Sequence, residues 1–352
     1  MDGGFRNTDL IGRSVDRRQM LGLLGAGVAA AGAIPLVGCS STAEAAPLTV
    51  GGLAVTCNLT LPVACAANAA AKKGKSKTAD FAYSKYTGWP EVKESLMSGE
   101  IQAAYMLAPL VMDLADKKVP VKIVSIGHRS GAVIMVRTDS SYKKFRDLTG
   151  NRVAIPSRFA VDFLFLRKML AQEDMTPDDV EIVEMAPADM PAALYVKGVD
   201  AYCTGEPFGA AAQSAGYARP LRMTRDEWPR YMCCVLTVRE ELIKDDRPLV
   251  QELVNYVLGA GSWLDQRPQN RETAIQIAAR RDYFNQDPNI LRFVMREPPD
   301  RVTYGDLRMV QKEFDELMQM SVDAGTLKHP VLYASYVDES FARAAKPAAI
   351  PL

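Results

Sequence analysis

The sequence predicts an α/β protein built of two lobes, each with a doubly wound, mostly parallel sheet. Three observations predict it. Strand-like and helix-like segments alternate from Pro47 onward. The alternation restarts as a second block at Asn151. The chain of 352 residues is long enough for two domains, each with its own core.

In the first block, Leu48 to Val55 reads as a buried strand, and Leu61 to Lys73 as an Ala-rich helix closed by Gly74. Asp80 to Tyr86 alternates like a strand. Pro90 to Ser98 is a short helix with Pro at its start and Gly99 at its end. Ile101 to Met106 is a strand, Ala108 to Lys117 a helix and Val121 to Ile126 a strand. In the second block, Asn151 to Ile155 is a strand and Phe159 to Ala171 a helix, with Phe163, Leu166 and Leu170 at helical spacing. Val180 to Met185 is a strand, Ala188 to Lys197 a helix and Val199 to Cys203 a strand leading to Gly205-Glu206-Pro207. After residue 240 the pattern is helical over Pro248–Gln266, Arg271–Arg281, Asn289–Met295 and Tyr304–Ala324; Phe341 to Leu352 is Ala/Pro-rich and expected to fray.

Two segments look alike, Ala132 to Thr138 and Cys234 to Glu240, each apolar and carrying Val-Arg near its end. They are either a pair of links between lobes, which would make a hinge and a cleft, or two unrelated edge strands.

Composition narrows the function classes. Lys and Arg total 42 and Asp and Glu total 42, so the net charge is zero. A nucleic-acid partner, which usually selects a basic surplus, is not expected. The chain is 48% hydrophobic and 24% charged, an ordinary globular balance. Two histidines, His128 and His329, exclude a His-rich metal cage. No Gly-rich phosphate loop, Gly-x-Ser-x-Gly elbow or HExxH motif is present, and neither an enzyme nor a cofactor is expected.

Residues 1–46 read as a twin-arginine lipoprotein signal peptide and tether. Arg17-Arg18 precedes an uncharged Gly/Ala-rich run from Met20 to Val37. Leu36-Val37-Gly38-Cys39 resembles a bacterial lipobox, which makes Cys39 the expected lipid attachment site and an acyl chain the expected membrane anchor. The expected location is therefore periplasmic, at a membrane. Of six cysteines (Cys39, Cys57, Cys65, Cys203, Cys233 and Cys234), most are expected to be small buried hydrophobes; no spacing reads as a zinc or redox motif, and no metal site is expected.

Four passages carry a family resemblance: Leu48 to Leu61; Gly88-Trp89-Pro90 through Ala104; Phe145 to Pro156; and Val199 to Phe208 with its Gly-Glu-Pro turn. In this order they resemble the periplasmic substrate-binding proteins of ABC importers for nitrate, bicarbonate, sulfonates and taurine, a family that shares its fold with thiamine-pyrimidine-precursor binding proteins. The resemblance implies a type II periplasmic binding protein, a venus flytrap of two lobes joined by two crossing strands. It implies lobe I at 47–137 plus 236–345 and lobe II at 138–235. It also implies a small-molecule ligand and ABC permease and ATPase subunits as partners. A thiamine-pyrimidine-related protein or enzyme, or a ligand sensor without transport, is the alternative.

Ligands in such folds bind beyond the carboxyl ends of parallel strands. That rule selects Thr56, Cys57 and Asn58 after the first strand, His128, Arg129 and Ser130 after the Val121–Ile126 strand, and Glu206 after Val199–Cys203. Thr56 or Asn58 alternatively caps the helix that follows. Trp89 matches a tryptophan lining the anion site of the nitrate branch. Asp162 stands where that branch has a histidine, and serves either as a ligand or as a favourable first-turn acid. Cys233 stands where that branch has charge. Two carboxylates and one possible arginine favour a zwitterionic or amine-bearing solute over a bare anion.

Overall fold

A computed structural model describes residues 46–73, 79–228 and 230–352. The expected signal peptide and Cys39 lie outside the described residues.

The strands, in chain order, are β1 (Leu48–Leu53), β2 (Phe81–Tyr86), β3 (Ala103–Leu107), β4 (Val121–Ile126), β5 (Arg129–Ser130), β6 (Ala132–Arg137), β7 (Arg152–Ile155), β8 (Glu181–Glu184), β9 (Ala201–Gly205), β10 (Ala218–Met223), β11 (Cys234–Arg239) and β12 (Val302–Thr303). They form two five-stranded sheets, ordered β2-β1-β3-β11-β4 and β10-β6-β9-β7-β8, and one two-stranded ladder, β12-β5. Parallel pairing joins β2, β1 and β3 in the first sheet and β8, β7 and β9 in the second. Helices α1 (Thr60–Lys73), α2 (Trp89–Ser98), α3 (Ala108–Asp116) and α4 (Val161–Ala171) connect them.

The two look-alike segments take equivalent places. β6 runs antiparallel between β10 and β9, and β11 runs antiparallel between β3 and β4. Both are interior strands, which is why both are apolar along nearly their whole length. The chain therefore passes between sheets twice, once between Ile126 and Ala132 and again between Met223 and Cys234. This corrects the boundaries expected at residues 137 and 235: β6 belongs wholly to the second sheet, and Cys234 and Val235 belong to the first. The turn needed at the first passage falls on Gly131, whose φ of +100° suits glycine and whose missing Cβ leaves room for Val302.

Two further expectations give way. Tyr304–Val310 is not helical; the helix there is Gln311–Asp323. Asp265 Oδ2 accepts the N–H groups of Tyr304 and Gly305, and Arg129 takes the carbonyls of Asp306 and Arg308, so side chains satisfy backbone that a helix would have paired internally. The C-terminal tail is docked as well. Phe341 is buried, and Asn255 holds the Lys346 and Ala348 N–H groups.

Candidate functional site: a buried junction and an open groove

Of the residues expected at the cleft, Thr56, Cys57, Asn58, His128, Arg129, Ser130 and Glu206 lie beyond the carboxyl ends of β1, β4 and β9, while Trp89 opens α2, Asp162 lies at the start of α4 after β7 and Cys233 precedes β11. They sort into three groups according to what each side chain touches.

The first group seals the lobes together. Thr56 donates its N–H and its hydroxyl to the Glu206 carbonyl, at 2.7 and 3.0 Å, and its own carbonyl accepts from Tyr304 Oη. The Thr56 donors that an incoming anion would meet at this loop are thus used within the chain, while Asn58 Nδ2 is unpartnered. Asn58 accepts the Leu53 N–H and closes the turn after β1. Glu206 is fully buried; Oε1 accepts from Arg301 Nε at 2.6 Å and Oε2 accepts the Ala210 N–H. Burial pushes the Glu206 carboxyl up, and the Arg301 charge pulls against it. Arg301 is the buried cation that reading the sequence missed. It sits in a Pro-Pro-Asp-Arg turn distant from every motif, and only the pairing of β12 with β5 carries that segment to the junction.

Arg129 also differs from its expected role as a ligand arginine. It is buried, and its guanidinium donates to the carbonyls of Asp306, Arg230 and Arg308 and to Glu313 Oε2 at 2.6 Å. It staples both passages between lobes to the Gln311–Asp323 helix. Arg230 likewise pairs with Asp306 and Glu313.

The second group is a cluster of thiols around one imidazole. Cys57, His128 and Cys234 bring one Sγ, one ring nitrogen and one Sγ within 4.8 Å of one another, and all three are buried. Cys233 Sγ lies 4.0 Å from Cys234 Sγ. His128 Nδ1 faces the Ser130 carbonyl at 2.8 Å, an acceptor, so this nitrogen carries a proton. Nε2 faces the thiols and receives the Cys234 N–H at 3.2 Å. The Ser130 hydroxyl meets Thr224 Oγ1 and is turned to internal use. Asp162, at the start of α4, is 3% exposed with Oδ1 unpartnered, and buried Tyr231 Oη is unpartnered too.

The electrostatics of this cluster follow from its dryness. Burial pushes the Asp162 carboxyl well up, and Cys233 and Cys57 push it further. A hydrogen bond with Cys234 holds Cys57 well below the usual thiol range against the cost of burial, with His128 assisting. The same Cys234 contact brings Cys233 down to about 7. Burial opposes charge on His128, but Cys57 and Cys233 outweigh it and raise the imidazole to about 10. Burial raises Cys234, which stays protonated and serves its neighbours as donor. All five described cysteines are free and buried; Cys65 sits apart in α1.

The third group is the only one of the three that opens to solvent. Thr87 to Glu91 from the first lobe and Pro156, Ser157 and Glu184 to Pro187 from the second line a groove of about 340 Å³. Trp89 forms part of its wall at the first turn of α2, while remaining 4% exposed. Glu91 accepts from Thr87, and Glu184 from the Arg158 N–H.

Two α/β lobes linked twice, with strand-end loops facing across a groove, define the class of two-lobed periplasmic binding proteins. The profile of the NMT1-like family matches residues 41–279, and the chain belongs to that family. It is 26% identical over 251 residues to the nitrate/nitrite binding protein NrtA of Nostoc sp., covering 64% of this chain and 56% of that protein. It is 27% identical over 213 residues to the nitrate import ATP-binding protein NrtC of Synechococcus elongatus, covering 56% of this chain and 32% of that one. The chain thus spans about half or less of these curated relatives. Among solved structures, the ligand binding component of an ABC-type import system from Staphylococcus aureus, with zinc bound, is similar at a TM-score of 0.76 and 24% identity, covering 86% of this chain and 99% of that one. The periplasmic nitrate-binding protein NrtA from Synechocystis PCC 6803 is similar at 0.74 and 18%, covering 84% and 87%. The desulfurization enzyme DSZB shares the fold at a TM-score of 0.60 and 17% identity, covering 84% and 97%.

Proposed function

We propose that this chain is the solute-binding component of an ABC import system. It captures a small polar solute between its lobes and delivers it to a membrane permease driven by an ATPase. The observation that carries this reading is the groove at Trp89, because each lobe contributes one wall. A solute held by both walls favours the closed arrangement by its difference in affinity for closed and open forms. Family membership supports the reading, as does the likeness to a segment of an ATP-binding import protein. The twin-arginine pair and the Cys39 lipobox support export and lipid anchoring.

The solute we favour is amine-bearing or zwitterionic. Arg129, Arg230 and Arg301 are each paired with a carboxylate, so the charge of each is already balanced within the chain. Glu91 and Glu184 border the groove; Glu184 is paired with Arg158, and Glu91 is the carboxylate that favours a positive centre. Isothermal calorimetry of the purified protein against nitrate, bicarbonate, taurine and cationic heterocycles tests this. Saturable one-to-one binding of a zwitterion or amine is the expected result. Tight nitrate binding would overturn the solute class, and no saturable binding by any small polar solute would overturn the function. Lipid attachment is tested separately: labelled fatty acid should enter the protein and be lost in Cys39→Ser.

A further inference from the structure

We propose that Cys57, His128 and Cys234 form a buried binding site for a divalent thiophilic cation, zinc(II) by chemical class. The site is distinct from the solute groove and does not depend on it. Three chain segments that are distant in sequence converge there: the loop after β1, the first passage between lobes, and the first residue of β11.

The donor set is soft, two sulfurs and one imidazole, which suits zinc and not calcium or magnesium. The geometry is close to that needed. In a tetrahedral site with zinc–sulfur bonds of about 2.3 Å, ligand atoms stand about 3.8 Å apart. Here the three donors lie within 4.8 Å, so contraction by about 1 Å at most brings them to a common ion. The imidazole is already oriented: Nδ1–H donates to the Ser130 carbonyl, leaving Nε2 toward the sulfurs. That outer hydrogen bond is the usual partner of a metal-bound histidine. A cation on Nε2 takes the place of the long contact from the Cys234 N–H.

A second, independent observation points to a ligand. Asp162 Oδ1 is buried without a partner beside this cluster, and Cys233 Sγ lies 4.0 Å from Cys234 Sγ. Charge favours the divalent ion. In the loaded site two thiolates, a neutral histidine and a 2+ ion sum to zero. Burial penalises any other total. A monovalent ion in the same set would leave one negative charge buried.

The test uses the full chain with Cys39→Ser throughout, reduced and stripped of metal by a chelator. Zinc is titrated in competition with a chromophoric chelator. One equivalent should bind, with Cys57→Ser and Cys234→Ser each weakening it by about 100-fold or more. Cys65→Ser, whose thiol lies elsewhere, should leave it unchanged. If the cluster variants fail to fold, cobalt(II) added to the parent protein gives the same information. Thiolate-to-cobalt charge-transfer absorption at one equivalent is expected, and its absence overturns the site. Sub-stoichiometric zinc or equal sensitivity to Cys65→Ser would each overturn it as well. Solute calorimetry run in chelator separates this outcome from the import reading: binding there stands whether or not the metal site does.

Discussion

The sealed junction at Thr56 and Glu206 and the open groove at Trp89 lie between the same two lobes, yet their polar groups do opposite things. At the junction most strong donors and acceptors are spent on the protein itself, with Arg301 Nη2 and Asn58 Nδ2 left unpartnered. Glu206 answers Arg301, Thr56 answers Glu206, and Arg129 answers four groups at once. At the groove the same kinds of residue stand at the rim of a cavity of about 340 Å³. The difference teaches that a polar residue at the carboxyl end of a strand is only a candidate. Its partners decide whether it holds the chain or holds a guest.

Breaking the junction should have the largest effect. Glu206→Gln removes the charge that compensates Arg301 while keeping the volume, leaving a buried guanidinium without a counter-charge. A loss of about 3–5 kcal/mol is expected in urea denaturation. A variant within about 1 kcal/mol of the parent would show that Arg301 is not held by charge. Arg129→Ala comes next. It strands three carbonyls and Glu313, and about 2–3 kcal/mol should be lost. If instead stability is unchanged and solute affinity falls, Arg129 returns to the role that its position in the sequence suggested.

The groove is tested by filling it. Ala186→Trp places an indole between the walls formed by Trp89 and Pro156 without touching the junction. Solute affinity should fall about tenfold or more, equivalent to about 1.4 kcal/mol, while the unfolding midpoint barely moves. Unchanged affinity would send the solute to the junction and break the contrast drawn above.

How far the sequence carried these conclusions differs between the fold and the site. Strand and helix order from Leu48 to Cys203 was legible because most segments have a period that burial enforces, whereas the Phe208–Ser214 helix and β10 were not read. The first passage between lobes was placed a strand late, because β6 is apolar on both faces and nothing in it marks which sheet it joins; the second was placed two residues late. Residues at strand ends were legible as a set. Their partners were not, since Arg301 and Tyr304 reach the junction from a late segment with no motif of its own. Cys234 was passed over for a similar reason. Alternation would turn adjacent Cys233 and Cys234 to opposite faces within a strand, but β11 begins at Cys234, and the two sulfurs stay 4.0 Å apart.

The smallest expected effect lies at the outer margin of the Arg129 staple, and its sign can be worked out. Asp306 pairs with Arg308 and with Arg230, and these hydrogen bonds hold its carboxyl well below the usual carboxylate range. A folded value below the unfolded one means that the unfolded chain binds the proton more readily. The contribution is therefore fully present above the ordinary aspartate value of about 4 and lost as pH falls toward the folded one. Asp306 is 35% exposed, so solvent screens the pair and the contribution should stay under about 1 kcal/mol. Asp306→Asn should flatten the acid side of the stability–pH curve by that amount and leave stability above pH 6 lowered by a constant. An unchanged acid slope would mean that Glu313 alone anchors the two arginines, and that the staple ends one residue short of where the hydrogen bonds place it.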